Sequence, residues 1–190
     1  MYLALSSDRS HALFSQLSNA ASEDQLPPVD SWNPPYCGEI DMHIRQDGTW
    51  YYGGTPFTRE RMVRLFARVL KREGDDFYLV TPVEKVKIRV DDAPFVIVDM
   101  DQQWKDGQSW WVATTNVGDR VVLDSDHRLW VETNAAGESL PYIHVRSNLN
   151  GRLTRSVFYR LVDDGHERDD GDGKALYITS GPLEFVLGRF

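Results

Sequence analysis

Hydrophobic and polar residues follow two different periods along this chain, which predicts both strands and helices. In Gly38 to Arg45 apolar and polar residues alternate, the period of a half-buried strand. Gln46 to Gly48 is a predicted turn, and Thr49 to Tyr52 completes the hairpin. From Thr58 to Glu73 apolar residues return every three or four positions, which predicts an amphipathic helix that stops at Gly74.

Short apolar segments separated by turn residues follow this helix, so the remainder is predicted to be rich in β-structure. A second amphipathic helix is predicted over Leu153 to Val162, followed by an acidic loop over Asp163 to Gly173. The predicted strands are Phe77 to Thr81, Lys85 to Val90, Phe95 to Asp99, Trp110 to Thr115, Arg120 to Leu123, Leu129 to Glu132, Tyr142 to Val145, Ala175 to Thr179 and Leu183 to Leu187.

Two parts of the chain repeat the same order of signals. The sequence FTR at Phe57 to Arg59 opens the first helix and LTR at Leu153 to Arg155 opens the second. The strands that follow read FYLVTPVE from Phe77 and LYITSGPLE from Leu176. The pattern therefore predicts an α+β protein of two diverged helix-plus-strands units, the second with more antiparallel β. The expected divisions are 1–31 for an N-terminal helix, around Leu13 to Leu17, with a proline-rich linker, then 32–94 and 95–190 for the two units.

Composition and charge narrow the functional classes. The 190 residues carry a net charge of −8, which disfavours nucleic acid and anionic membranes as partners because an acidic surface repels both. No apolar run reaches the ~20 residues that span a bilayer, so the expected location is the cytoplasm. Cys37 is the only cysteine, which excludes an internal disulfide or a cysteine-based zinc cluster.

Several stretches of the sequence carry a resemblance to a known family. They are NPPYCGEIDM from Asn33, DGTWYYGGTPF from Asp47, MVRLFARVL from Met62, YLVTPVEKVKIRVDDAPF from Tyr78, TTN from Thr114 and PYIHVRSNL from Pro141. Over Trp32 to Leu187 the sequence resembles the proteobacterial family DUF1285. The resemblance implies a duplicated α+β architecture with a second half superficially like pleckstrin-homology folds, and a regulatory or signalling role without established activity. Leu183 to Gly188 reads LEFVLG, where the family usually has an aromatic pair before proline, leucine and glycine.

Residues with metal-binding or catalytic chemistry each have a simpler explanation. Glu39, Asp41 and His43 share one face of a strand and could hold a metal, but a solvated strand face gives the same alternation. The polar group at Asp124 to His127 is typical of a hairpin turn. No GxSxG, HExxH, GxxxxGK[ST] or GxGxxG motif occurs, so neither a metal nor a cofactor is expected and an enzyme is disfavoured.

The favoured interpretation is a ligand-binding or regulatory module, possessing a groove between the two units near the proline-containing links TPVEK and DDAPF. Lys85 is expected to be at least half buried and paired with Glu84 or Asp92, as a binding site or as a structural ion pair. The candidate ligand-binding residues, for a small molecule or a peptide, are Asp41, Arg59, Thr81, Glu84, Lys85, Asp92, Phe95 and Asn116.

Two other functions stay open at this point. One is a hydrolase-type enzyme with a site assembled from distant residues such as Asp41, His144 and Glu84. The other is a protein-interaction module that uses the basic helix, because Thr58 to Glu73 carries a net charge of +4. Ion pairing with the chain's own acids is the simpler explanation of those basic residues.

Overall fold

The computed structural model describes Ser15 and residues 25–190, which are mostly β and fall into two compact units. One unit ends at Asp92 and the other is Ala93–Phe190. Apart from Ser15, which is helical, the predicted N-terminal helix lies outside the described residues. No helix among the residues described is long and apolar enough to cross a membrane.

Over residues 25–92 the first unit is a single six-stranded sheet with one α-helix. In the order β3-β2-β1-β6-β5-β4, the pairing of β1 with β6 is parallel and the other pairings are antiparallel. Its elements are a 3-10 helix Val29–Ser31, β1 Tyr36–Ile44, β2 Trp50–Tyr52, β3 Thr55–Pro56, α1 Glu60–Arg68, β4 Leu70–Glu73, β5 Asp76–Val80 and β6 Lys85–Val90.

The first hairpin forms as its sequence predicts. The Asp47 carboxylate accepts a hydrogen bond from the Thr49 amide at 2.9 Å, and Gly48 adopts a φ of 83° that few other residues tolerate. Met42 and Ile44 point into the core from β1, where the ring of Trp50 stacks on Phe66 of α1 at 6.3 Å. Burying this apolar surface is what holds the helix against the sheet.

The first helix is shorter than predicted. It ends at Arg68, and Leu70–Glu73 instead forms β4, paired with β5. Gly74, with a φ of 62°, belongs to the β4–β5 turn and does not terminate a helix. The residues after Arg68 are compatible with either structure, and pairing of Leu70 opposite Leu79 buries both side chains in the sheet.

The second unit contains two sheets and one helix. The first sheet has the order β10-β11-β12-β7-β8-β9, with a parallel β7–β12 pairing, and the second has the order β13-β14-β15. Its elements are β7 Phe95–Lys105, β8 Gln108–Thr115, β9 Arg120–Val122, β10 Leu129–Thr133, β11 Ser139–Arg146, β12 Leu149–Leu153, α2 Arg155–Asp163, β13 His166–Asp169, β14 Lys174–Ser180 and β15 Leu183–Arg189.

A buried serine connects the two sheets of the second unit. The Ser180 hydroxyl accepts a hydrogen bond from the Trp111 amide at 2.9 Å and donates one to the carbonyl oxygen of Leu123 at 2.7 Å. Strands β12 and β13 were not predicted, and β13 takes up part of the expected acidic loop. Two short strands of mixed character give only a weak periodic signal, so their sheet partners decide their structure.

The order of elements recurs in the two units, as the sequence predicts. In each unit a nine-residue helix is followed by three antiparallel strands, β4-β5-β6 in the first and β13-β14-β15 in the second. The matched FTR and LTR sequences are offset by one residue against the helices. Arg59 is the N-cap of α1 without a side-chain cap, whereas Thr154 caps α2 by accepting a hydrogen bond from the Val157 amide.

Candidate functional site

The predicted ligand-binding residues of the first unit have roles within that unit. Thr81 is buried, and its hydroxyl accepts hydrogen bonds from the amides of Val83 and Glu84 at 3.4 and 3.1 Å. These contacts shape the β5–β6 turn, to which the main chain of Glu84 also contributes by accepting a bond from the Thr81 amide. Thr81 is therefore occupied in holding the turn between two strands.

Lys85 is more than half buried, as predicted, with its side chain 16% exposed, but its expected partner is wrong. Its Nζ donates to the Glu73 carboxylate at 2.7 Å, not to Glu84 or Asp92, and its ammonium lies over the Tyr78 ring at 4.9 Å. The Lys85 hydrogen bond is the main reason that the pKa of Glu73 lies below its usual range. The prediction failed because β4 was taken for helix, and only as a strand does Leu70–Glu73 bring Glu73 to Lys85.

The other predicted residues of the first unit lie at its surface or at its end. Asp41 is exposed and forms an ion pair with Arg89 at 3.3 Å, across neighbouring strands. Arg59 is exposed before α1, and Asp92 is the last residue of the unit. The predicted alternation in β1 is thus explained by polar contacts with neighbouring residues of the sheet, which include the hydrogen bond between His43 and Asp91.

Phe95 and Asn116 belong to the second unit. Phe95 is fully buried, with the Arg146 guanidinium 4.8 Å from its ring centroid. The Asn116 side-chain oxygen accepts a hydrogen bond from the Val96 amide at 3.0 Å. Both residues stabilise the start of β7, and the eight predicted residues form no common site within either unit.

The structure also bears on the enzyme site and the metal site considered from the sequence. Both ring nitrogens of His144 contact main-chain carbonyl oxygens of this chain, of Asp126 at 2.8 Å and of Ser147. Among the described residues no group of three or more histidine, cysteine, aspartate or glutamate side chains could hold a metal ion.

The basic residues predicted as a helix surface pair with nearby acids or main-chain oxygens. Arg64 pairs with Glu60, and Arg68 donates to a main-chain carbonyl. Lys71 and Arg72, which lie on β4, pair with Glu73 and Asp75. The simpler explanation of these charges, ion pairing within the chain, therefore applies to most of them.

A groove in the second unit is the candidate site. Its volume is about 840 Å³, within the range of ligand pockets. One wall runs along Asp124 to Thr133 and the other is the whole of β15, from Leu183 to Arg189. Leu129, Phe185 and Leu187 are buried and give the groove an apolar floor, while Trp130 stacks on Tyr142 at 5.6 Å.

The groove walls are strand edges. Side chains alternate between the two faces of a strand, so a cavity that touches seven consecutive residues of β15 follows its edge and not one of its faces. Within residues 25–190, β10 is hydrogen-bonded only to β11 and β15 only to β14. Two strands therefore lie beside each other with no ladder between them, and each has main-chain donors and acceptors on its outer edge.

The polar end of the groove is a hydrogen-bonded turn. The Asp124 carboxylate accepts hydrogen bonds from the amides of Asp126 and His127, at 2.9 and 2.8 Å, and contacts the His127 ring at 3.0 Å. Burial works against the charged form, but these bonds outweigh it and hold the pKa of Asp124 below its usual range. The turn predicted at Asp124 to His127 forms, but it does not join a hairpin, because β9 and β10 lie at opposite edges of the six-stranded sheet.

No sequence signal identified the groove. The strands at Leu129 and Leu183 were predicted, but periodicity does not say which edges pair, and a free edge has the same sequence as a bonded one. The departure of LEFVLG from the family pattern drew attention to the right strand without showing its surroundings.

The comparisons with known proteins agree with the resemblance in the sequence. Residues 27–93 match the model "Domain of unknown function (DUF1285), N-terminal domain" and residues 94–187 match "Protein of unknown function (DUF1285), C-terminal domain". A DUF1285 family protein of known crystal structure from Silicibacter pomeroyi DSS-3 is 45% identical, with 93% of this chain and 94% of that chain covered and a TM-score of 0.82.

A second DUF1285 family protein of known crystal structure, from Shewanella baltica OS155, is 29% identical. The match covers 64% of this chain and 90% of that chain, with a TM-score of 0.52. No curated protein matches the chain. The chain belongs to the DUF1285 family of two-domain proteins.

Proposed function

We propose that this protein is a peptide-binding module that receives an extended peptide segment in the groove lined by β10 and β15. The observation that carries the proposal is the pair of free strand edges facing one cavity. A strand added to one of these edges would satisfy its main-chain donors and acceptors, which is the general mode of β-augmentation. A different ligand, such as a metabolite or a lipid chain, would leave those main-chain donors and acceptors hydrogen-bonded to water.

The dimensions of the groove suit such an occupant. The wall formed by β15 is seven residues long, and an extended chain advances about 3.3 Å per residue, so a segment of roughly five to seven residues fits along it. The apolar floor at Leu129, Phe185 and Leu187 would take alternate side chains of the segment, while the others would face solvent. Main-chain bonds would supply affinity and the floor would supply selectivity.

One glycine allows the groove to be filled without disturbing the fold. A Cβ at Gly188 would meet no atom within 4 Å, and the residue lies in β15 without a positive φ. Gly188→Leu should therefore block the groove and leave the unit folded. Thr179→Leu is the matched control, because Thr179 is exposed on the neighbouring strand β14 and does not line the groove.

The test is selection from a random heptapeptide library displayed on phage. Immobilised wild-type protein should enrich related sequences with alternate apolar residues, and the best peptide should shift the amide resonances of β10 and β15. Gly188→Leu should weaken that peptide at least about tenfold, which is 1.4 kcal/mol, and Thr179→Leu should not. A peptide that binds Gly188→Leu as well as wild type, or a library that yields no enrichment, would contradict the proposal.

A signalling role and a pleckstrin-homology-like second half remain predictions of the family resemblance. Peptide recognition is compatible with both, since regulatory modules commonly bind short segments of other proteins. The inter-unit ligand site expected from the sequence also remains a prediction. The contacts of Thr81 and Lys85 within the first unit give it less support than the groove has.

A further inference from the structure

The groove has four charged side chains, and three of them are already bound by neighbouring residues. Asp124 is held by its own turn. The Glu184 carboxylate is hydrogen-bonded to the His166 ring and accepts a hydrogen bond from the Arg168 guanidinium, and these contacts keep its pKa below the usual range. The charged groove residues are Asp124, Arg128, Glu184 and Arg189.

Arg189 is bound in the same way. Its guanidinium pairs with the Asp170 carboxylate at 2.6 Å, and Asp170 also accepts a hydrogen bond from the Tyr177 hydroxyl at 2.7 Å. This cluster lies on the sheet of β13, β14 and β15 and is complete without a ligand. Arg189 therefore carries no charge in need of a partner.

Arg128 is the exception. Its Nε donates to the Ser125 carbonyl oxygen at 3.3 Å, and across residues 25–190 its guanidinium forms no ion pair. It is exposed, and it directly precedes Leu129, the first residue of β10. The groove thus presents one uncompensated cation at the end where the apolar floor begins.

We infer that the peptide bound in the groove carries an aspartate or glutamate side chain that pairs with Arg128. This inference rests on the proposed function and names the chemistry of its ligand. A guanidinium binds a carboxylate through two parallel hydrogen bonds, which fixes the position of the acidic residue along the peptide. Because the chain as a whole is acidic, the attraction is local and comes from this contact, not from the net charge.

The inference predicts a reversal of selectivity when the charge is reversed. In the same heptapeptide library, wild type should enrich an acidic residue at one position relative to the apolar ones. Arg128→Glu should enrich lysine or arginine at that position, and Arg128→Gln should show neither preference. Arg120→Glu is the control with the same change of charge, since Arg120 is an exposed residue of β9 that does not line the groove. It should select as wild type does.

A second measurement uses the best wild-type peptide and its amide counterpart, in which asparagine or glutamine replaces the acid. The amide peptide should bind wild type roughly tenfold to a hundredfold more weakly, and the two peptides should bind Arg128→Gln equally. Thermal unfolding midpoints within a degree of wild type would show that the variants are folded.

The outcomes separate this inference from the proposed function. One outcome is that wild type enriches peptides without an acidic residue and Arg128→Glu selects the same peptides. That result would overturn the inference and leave the groove as a peptide site. If neither wild type nor any variant enriched a peptide, both the inference and the proposed function would be overturned.

Discussion

The repeated segment of one helix and three strands ends in β6 in the first unit and in β15 in the second. These two strands have different neighbours. In the first unit β6 lies between β5 and β1, so both of its edges are hydrogen-bonded. In the second unit β15 is bonded to β14, and its other edge faces the groove. The same series of helix and three strands thus gives a closed edge in one unit and an open edge in the other.

The cause of the difference is an additional strand. β1 and β11 each begin the hairpin that precedes the helix of their unit, and β1 pairs with β2 and β6. β11 pairs with β12 and β10, so β10 occupies the place beside β11 that corresponds to β6 beside β1. In the second unit β15 therefore belongs to a separate sheet, where one of its edges is unpaired.

The largest expected effect on the free energy of unfolding tests whether the two helices stabilise their units equally. Phe66 and Leu161 are each the seventh residue of their helix, and each is 1% exposed. Phe66→Ala should lower the free energy of unfolding by about 3–5 kcal/mol and Leu161→Ala by about 2–5 kcal/mol, because each leaves a cavity. Tyr159→Ala, at an exposed position of α2, should change it by under about 0.5 kcal/mol in the same urea titrations. A Leu161→Ala effect as small as that of Tyr159→Ala would show that only α1 stabilises its unit.

An intermediate effect distinguishes the two β-turns that precede the final strands. Ser180→Ala should lower the free energy of unfolding by roughly 2–4 kcal/mol, since it leaves the Trp111 amide and the Leu123 carbonyl buried without a partner. Thr81→Ala should lower it by only about 1 kcal/mol, because the amides it releases are in a turn whose Pro82 and Val83 are exposed to water. Denaturant titrations of the two variants measure the difference, and Thr81→Ser should be close to wild type. Equal effects of the two alanine substitutions would refute the distinction.

The smallest effect concerns pH and the Lys85–Glu73 pair. The pKa of Glu73 is lower in the folded chain than the value of about 4.3 expected when unfolded. The pair therefore stabilises the fold above that value, and the stabilisation is lost as pH falls through the lowered folded pKa. Glu73→Gln should flatten the dependence of the urea midpoint on pH between about 5 and 3. The change should be modest, since the Glu73 side chain is 37% exposed and water screens the pair.

Glu184→Gln provides the matching measurement in the second unit. Its pKa is also lowered, by His166 and Arg168, so the substitution should flatten the dependence in the same direction. A Glu73→Gln curve parallel to that of wild type would mean that the Lys85 contact does not stabilise the fold.

Local patterns predicted most of the elements, and pairing between distant strands decided the rest. The alternation in β1 and the amphipathic face of each helix were sufficient to place these elements, because each reflects burial of one side. The segment Leu70–Glu73 was predicted as helix because its residues are compatible with both states, and β5 determines the outcome.

The candidate site was less predictable for the same reason. Proximity in sequence suggested Lys85 with Glu84 or Asp92, whereas the actual partner, Glu73, is across the sheet. The groove depends on which strand edges remain unpaired, and that is a property of the whole topology. Only its turn at Asp124 to His127 could be read locally, since the aspartate bonds to amides two and three residues away.

The parallel pairing in each unit has a consequence for the rate of folding. β1 pairs with β6, and β7 with β12, between residues about 50 positions apart in the chain. Closing such loops requires a loss of chain entropy before any contact compensates it, whereas hairpins such as β7–β8 close locally. Each unit should therefore form its hairpins within microseconds to milliseconds and its parallel ladder last, and a nascent chain exposes an unpaired β1 or β7 until the second half of that unit has been synthesised.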